Sequence, residues 1–378
     1  MRQLVRVIEL GHIVAGPCAG LILSDLGYDV IKVEKPGVGD IARRLSKQSA
    51  GAFPFYNRNK KSLSLDLNIE SGKEIFEKLV KTSDVIIDNL GPGAVSRVGF
   101  SYDKIREINP GIIYLSLKGY GRGPYESRKS LDYPIEVHSG LAYMTGLIGR
   151  PMRVGASIID MSAAMFGVIG ILNAMLEKEK TGLGKYIDVG MFETAAFFMG
   201  QHVATYQMEG VDLQPINEEG FAWGVYDFFK TIDNHDIFVA VTTDPQWKKF
   251  CEGFSFGFCN SEDYETNEKR FEHRDVLMPQ IRQKLSSLNS SQISKILDEV
   301  NVSYAFLNKP TDLLTDPHLS KKMVPENFKG KLLKVPQTPF GSIAGGNPPE
   351  IGQDTGELLK ELGFGENDLR KFRDSGVI

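Results

Sequence analysis

Short β-branched runs alternate with helical patterns through the first 120 residues, and this alternation restricts the fold more than any other feature of the chain. Val5–Glu9, Asp29–Glu34, Ser83–Asn89 and Gly111–Leu117 read as strands. Pro17–Leu26, about Ile69–Lys81 and about Tyr102–Ile108 read as the helices between them. Strand–helix–strand units return parallel, so the expected class is α/β, a parallel sheet with helices on both faces. Ligands of such sheets bind beyond the carboxyl ends of the strands. The loops there are Gly11–Gly16, Glu34–Asp40, Asn89–Gly93 and Lys118–Gly123, glycine-rich and mostly polar or basic.

Farther along, Tyr186–Gly190 reads as another strand and Met191–Met208 as a helix with an apolar side. The composition then shifts. Asp212–Gly224 reads as a loop, Val225–Val241 as a hairpin around Asp233-Asn234, and Pro245–Cys251, Val276–Leu288 and Ser291–Val300 as helices. These define a smaller α+β domain over residues 215–325, preceded by 1–190 and a linker helix at 191–214. Leu332–Val335 reads as a strand, with helices at Thr355–Leu362 and Glu366–Gly376.

A net charge of −4 with mixed signs carries no basic face for nucleic acid. The start has charges within its apolar run, unlike a signal peptide, and Met161–Leu176 reads as too short to span a bilayer, so no membrane is expected and the location reads as cytoplasmic. Cys18, Cys251 and Cys259 lack disulfide or zinc spacing, and the six histidines are scattered, so no metal is expected.

Asp160 stands between a short apolar run and a long, nearly uncharged helix. A carboxylate where a helix begins accepts backbone N–H bonds and feels the positive end of the dipole, which keeps it ionised and aimed. A nucleophilic carboxylate needs those properties. An aspartate that merely caps a helix has them too, and the local pattern leaves both readings open.

Gly11, Gly16 and Gly20 are too widely spaced for a dinucleotide fingerprint, although Glu34 ends the second strand where a ribose-binding acid would stand. Lys35, Arg43, Arg44, Arg97 and Lys118 follow strands at one sheet edge. Their repeated placement suits a multiply phosphorylated ligand.

The segments ELGHIVAGPCAG, DVIKVEKPGVGDIARR, NRNKKSLSLDL, DVIIDNLGPGAVSRVGF, INPGIIYLSLKGYG, GKYIDVGMFETA, TNEKRFEHRDVL and DLRKFRDSGVI, in this order, resemble the class III CoA-transferase family (CaiB/BaiF type), which includes the α-methylacyl-CoA racemases. The resemblance implies an enzyme with a Rossmann-like large domain closed by residues 326–378, a small domain, and ring-shaped subunits interlocked as a homodimer. It implies acyl-CoA and a carboxylic acid as substrates, with no permanently bound cofactor. By the same resemblance Asp160 matches the catalytic aspartate, and His12, Ile13, Ala15, Lys35, Leu65, Asn89, Leu90, Ala94, Arg97 and Lys118 match positions that hold coenzyme A.

Racemases of the family use a His–Asp pair to move the α-proton, and Leu131 stands where that histidine would be. The supporting acidic motif is only partly matched, by Asp244-Pro245-Gln246. His138 lies seven residues downstream and reads as structural or pocket-lining. Transfer through an aspartyl anhydride and an aspartyl-CoA thioester is therefore the leading expectation, with a racemase or a non-catalytic acyl-CoA-binding protein as alternatives. Backbone N–H groups at the start of the Met161 helix are expected to hold the oxyanion, and Glu218–Gly224 to form a lid. Arg128, Lys129, Arg150 and Arg153 lie near the expected acyl pocket, where Arg150 or Arg153 would suit the second carboxylate of a dicarboxylic acid.

Overall fold

The computed structural model describes residues 4–219, 223–341 and 345–378. By its internal contacts the chain divides into Met1–Leu213 with His318–Ile378, and Gln214–Pro317. The second division point lies at 317, ahead of the 325 expected, because the β-hairpin that follows joins the first unit.

The first unit is built on β1 (Arg6–Leu10), α1 (Ala15–Asp25), β2 (Asp29–Glu34), α2 (Ala52–Asn57), β3 (Lys61–Ser64), α3 (Glu70–Lys81), β4 (Val85–Asp88), α4 (Ala94–Arg97), α5 (Tyr102–Ile108) and β5 (Ile113–Lys118). Then come α6 (Asp132–Ser139), α7 (Leu141–Thr145), α8 (Ile158–Thr181), β6 (Tyr186–Gly190), α9 (Met191–Phe198) and α10 (Gly200–Glu209). The single helix expected over 191–208 is thus two, divided at Met199.

The six strands form one parallel sheet in the order β3-β2-β1-β4-β5-β6. Each face carries its own core. On one, Val7, Val85, Leu115 and Leu117 pack with Leu21, Leu23, Ala163, Val168 and Ile171 of α1 and α8. On the other, Ile8, Ile31, Leu63 and Ile86 pack with Phe76, Leu79 and Ile105 of α3 and α5, and with the C-terminal residues Leu358 and Leu369. Burial on both faces explains why the strands read as nearly continuous apolar runs. The strand order reverses between β1 and β4, so the loops after them splay apart and leave a crevice at the carboxyl edge.

At 24 residues, with a mean hydropathy of 1.7 over its most apolar 18, α8 is long and apolar enough to cross a membrane by length and composition. This corrects the shorter Met161–Leu176 estimate, since the helix gains a turn at each end. In this fold α8 packs on α1, β5 and β6. Gly167 and Gly170 let it approach the sheet, where an added Cβ would lie 2.7 Å from Leu115 and 2.9 Å from Ile187.

The second unit holds α11 (Ile216–Glu219), the antiparallel sheet β7 (Val225–Lys230), β8 (Asp236–Val241) and β9 (Ser303–Phe306), and helices α12 (Asp244–Gly253), α13 (Asn267–Glu272), α14 (Arg274–Ser286) and α15 (Ser290–Val300). Trp247, Phe250, Leu277, Ile281 and Leu297 fill its core. The chain returns to the first unit through the hairpin β10 (Met323–Phe328) and β11 (Lys331–Pro336), then α16 (Thr355–Glu361) and α17 (Glu366–Asp374).

Candidate active site

A buried ion network shapes the loop after β1. Lys32 Nζ, on β2, lies 2.8 Å from Glu9, 2.9 Å from Asp40 and 2.9 Å from the carbonyl of Gly11. Lys60 Nζ lies 2.6 Å from the other Glu9 oxygen and 2.8 Å from the carbonyl of Pro17. Burial alone would lower the Lys32 ammonium, but Glu9, Asp40 and Glu34 together raise it; Lys60, with fewer anions near, is brought down by burial to about 8. Asp40 also accepts the N–H of Ile13 at 3.1 Å, holding that residue at a φ of +66°, a conformation unfavourable for a β-branched side chain. The strain is balanced by packing and this hydrogen bond.

Across the crevice Asn89, after β4, ties the start of α1 to the end of β5. Its Oδ1 accepts from Gly16 N–H at 3.0 Å and its Nδ2 donates to the Leu117 carbonyl at 3.0 Å. Lys118 ends β5, 2.6 Å from Asp88, and donates to the Leu90 carbonyl at 2.7 Å.

These segments open on a cavity of 1220 Å3 whose wall includes His12, Ile13, Ala15, Asn89, Leu90, Lys118 and Asp160. The structure therefore brings seven of the eleven expected site residues together. The other four do not line it. Lys35 is exposed and 4.0 Å from Asp66, Leu65 is buried in the apolar core, Ala94 begins α4, and Arg97 donates to the Pro92 carbonyl at 2.9 Å. The Leu65 side chain packs into the face built on α3 and is not part of the cavity wall. The reading of Arg43 is corrected. Its guanidinium is held by both Glu34 oxygens at 2.8 and 2.6 Å and covers the Phe53 ring, so it is occupied.

Asp160 is half-buried in the first turn of α8, and it is not the cap. The capping acceptor is Asp132, at the start of α6: its Oδ1 takes the N–H of Ile159 at 3.0 Å and of Asp160 at 3.1 Å. Its Oδ2 takes Arg153 Nη2 at 3.1 Å. The N–H groups of Ile158 and Met161 are bonded to the Ala156 and Ser157 carbonyls. The first turn of α8 is therefore already bonded and does not offer the oxyanion donors expected from the sequence. Asp160 is also not held ionised. Burial, then the charge of Asp132, push its carboxyl up to about 7, with Arg153 opposing.

Leu131 is 66% exposed and lines the same cavity, as do Arg128, Lys129 and Arg153. Arg150 is exposed and outside it. Arg153 reaches Asp132 and lies 3.9 Å from Glu136, so it is engaged by two carboxylates. His138 is not in the cavity wall; it contacts the Tyr120 hydroxyl at 3.0 Å and stacks on Phe192. The expected lid, Glu218–Gly224, includes residues 220–222, which lie outside the described residues. Asp132 and the Glu9–Lys32–Asp40–Lys60 network were missed by sequence reasoning. Charged residues inside apolar strand runs, and an acid two residues before Pro134 at a helix start, are signals that could have found them.

The fold and site define an α/β protein with a carboxyl-bearing ligand crevice at the sheet's switch point. The chain belongs to CoA-transferase family III, whose family model matches residues 3–355, and it is an enzyme of that class. It is 30% identical, over 397 aligned positions covering 99% of this chain and 92% of the relative, to the succinyl-CoA–L-malate CoA-transferase alpha subunit of Chloroflexus aurantiacus. It is 29% identical to the human succinyl-CoA:glutarate CoA-transferase, covering 99% of this chain and 89% of that protein. The crystal structure of a CaiB/BaiF family protein from Brucella suis superposes with a TM-score of 0.84 at 26% identity, covering 95% of this chain and 98% of that one.

Proposed function

We propose that this enzyme moves coenzyme A from an acyl-CoA donor to a carboxylic acid acceptor, with Asp160 as the nucleophile. The observation carrying this reading is Asp160 on the cavity wall with a leucine, Leu131, where a proton-moving histidine would be required for racemisation. Asp160 attacks the thioester carbonyl, giving an aspartyl–acyl anhydride and CoA thiolate. The thiolate attacks the aspartyl carbonyl, giving an aspartyl-CoA thioester and the donor acid. The acceptor carboxylate then attacks that thioester, and the released thiolate takes the new acyl group from the resulting anhydride, which restores Asp160. Ile13, Ala15, Phe55, Tyr56 and Met191 in the wall favour exclusion of water, which would hydrolyse both intermediates.

His12, Ile13, Ala15, Asn89, Leu90 and Lys118 would hold coenzyme A in the cavity, with Lys35, Ala94 and Arg97 at its outer edge. Succinyl-CoA in the names of the relatives, together with Arg128 and Lys129 in the wall, supports dicarboxylic acids among the substrates. Exposed Met165, Phe166, Ile169, Leu172 and Leu176 repeat along one side of α8, and Phe197 and Met208 are exposed on α9 and α10. A contiguous apolar face of this kind supports burial in an interlocked homodimer.

The test is to incubate the enzyme with acyl-CoA and hydroxylamine and to map the adduct by peptide mass spectrometry. An aspartyl hydroxamate at position 160 is expected. Exchange of the α-proton of a 2-methylacyl-CoA for deuterium, without such an adduct, would instead identify a racemase.

A further inference from the structure

Ser157, at the N-cap position of α8, makes no side-chain capping bond. The task falls to α6, where Asp132 and Glu136, four residues apart and so on one helix face, both grip the segment that ends in Asp160. Asp132 is 5% exposed and holds the Ile159 and Asp160 N–H groups through one oxygen and Arg153 through the other. Glu136 is fully buried and accepts the Val154 N–H at 2.9 Å. Four points of the segment, the Arg153 side chain and the backbone at 154, 159 and 160, are therefore fixed to one short helix. That helix begins at the cavity wall.

We propose that Asp132 is a positioning residue for CoA transfer: its carboxylate fixes the backbone of the nucleophile's turn, and its negative charge sits beside the attacking group. This rests on Asp160 being the nucleophile. Two effects follow from one carboxylate. A fixed first turn keeps the Asp160 carboxyl directed at the thioester, and a misplacement of about 1 Å at a reacting group costs roughly 100-fold in rate. A neighbouring anion also makes the Asp160 carboxylate more basic, hence a stronger nucleophile once deprotonated. The groups facing Asp160 are Asp132 from α6, Arg153 from the segment before α8, Cys18 from α1 and Tyr56 from α2. Burial raises the Cys18 thiol and the Tyr56 phenol, so both stay neutral at working pH. Glu136, which burial and Asp132 raise to about 7 against the Val154 N–H and Arg153, titrates over the same range, so the local charge balance is set by Asp132 and Glu136 against Arg153.

The variant that separates the two effects is Asp132→Asn, which keeps an oxygen acceptor for the two N–H groups and removes the charge. The readout is the single-turnover rate of Asp160 adduct formation against pH, with acyl-CoA and hydroxylamine. The acid limb is expected to move to lower pH by roughly one unit. The plateau rate is expected to fall several-fold while the KM for acyl-CoA holds. Asp132→Ala, which also removes the cap, is expected to lose on the order of 100-fold in rate; circular dichroism of both variants verifies that they are folded. A superimposable pH profile and plateau for a folded Asp132→Asn protein would reduce Asp132 to a helix cap and overturn the proposal while leaving Asp160 as nucleophile. If wild-type enzyme forms no adduct at Asp160, the nucleophile reading fails and the positioning role falls with it.

Discussion

A carboxyl group attacks a thioester only when deprotonated, and at Asp160 burial and the charge of Asp132 delay that form until about pH 7. In the free enzyme kcat/KM is therefore expected to rise with pH through an acid limb near 7, measured with a donor that does not itself titrate there. A limb near the ordinary carboxyl value would mean that Asp160 is solvated. Asp160→Asn keeps the shape and removes the proposed nucleophile, and transfer is expected to drop on the order of 1,000-fold or more in a steady-state assay. The sequence exposed Asp160 because an acid interrupts an apolar run at a helix start. It hid the cap, because the true acceptor is a side chain 28 residues earlier whose approach depends on how α6 packs.

Gly16 and Asn89 show what holds the crevice open at the level of strands and helices. A Cβ on Gly16 would lie 2.8 Å from Asn89 Cβ and 3.1 Å from Gly11 Cα, neither of which can swing aside. Gly16→Ala is expected to lower stability by about 1–3 kcal/mol in chemical denaturation and to raise the KM for acyl-CoA, since the Asn89 brace must shift. The returning β10 carries a second constraint. Glu326 is 1% exposed, 3.8 Å from Arg58, and neither oxygen has a hydrogen-bond partner among the described residues. Burial raises its carboxyl to about 7, against Arg58, which favours the charged form. The folded state thus keeps a proton that the unfolded chain releases at lower pH. Stability is expected to fall as pH rises from the ordinary carboxyl range to about 7, and then to level off. Glu326→Gln has no such proton, so denaturant midpoints should fall less steeply, with a gain at pH 8 on the order of 1–3 kcal/mol. The first strands and α3, α5 and α8 were readable from periodicity. The short β3, with a lysine and two serines in four residues, and α6, with a proline in its first turn, were not.

The exposed apolar face of α8 needs the whole molecule to explain it. One side is used by α1 and the sheet, while Ile169 is 61% exposed, Leu176 62% and Phe197 of α9 70%. If a second copy covers this face, light scattering after size exclusion should give a mass of twice 42.0 kDa. Ile169→Glu is then expected to yield monomer or insoluble protein, because a buried unpaired charge costs several kcal/mol. A monodisperse 42.0 kDa wild type would rule the dimer out.

Periodicity in the sequence determined the class of fold, since a run of two-residue and 3.6-residue patterns in alternation admits a parallel sheet with helices on both faces and little else. Its ordered motifs singled out Asp160 and placed most of the crevice loops. Tertiary structure decided which charges remain available to a ligand. Arg43 looks like a phosphate contact until Glu34 is seen to hold it, Asp160 looks ionised until burial, and then Asp132 beside it, are taken into account, and the helix start looks like an oxyanion site until its N–H groups are counted as bonded. Each of these depends on a partner that folding brings close, 9 residues away for Arg43 and 28 for Asp160, and the energy of a charge is set by its neighbours in space.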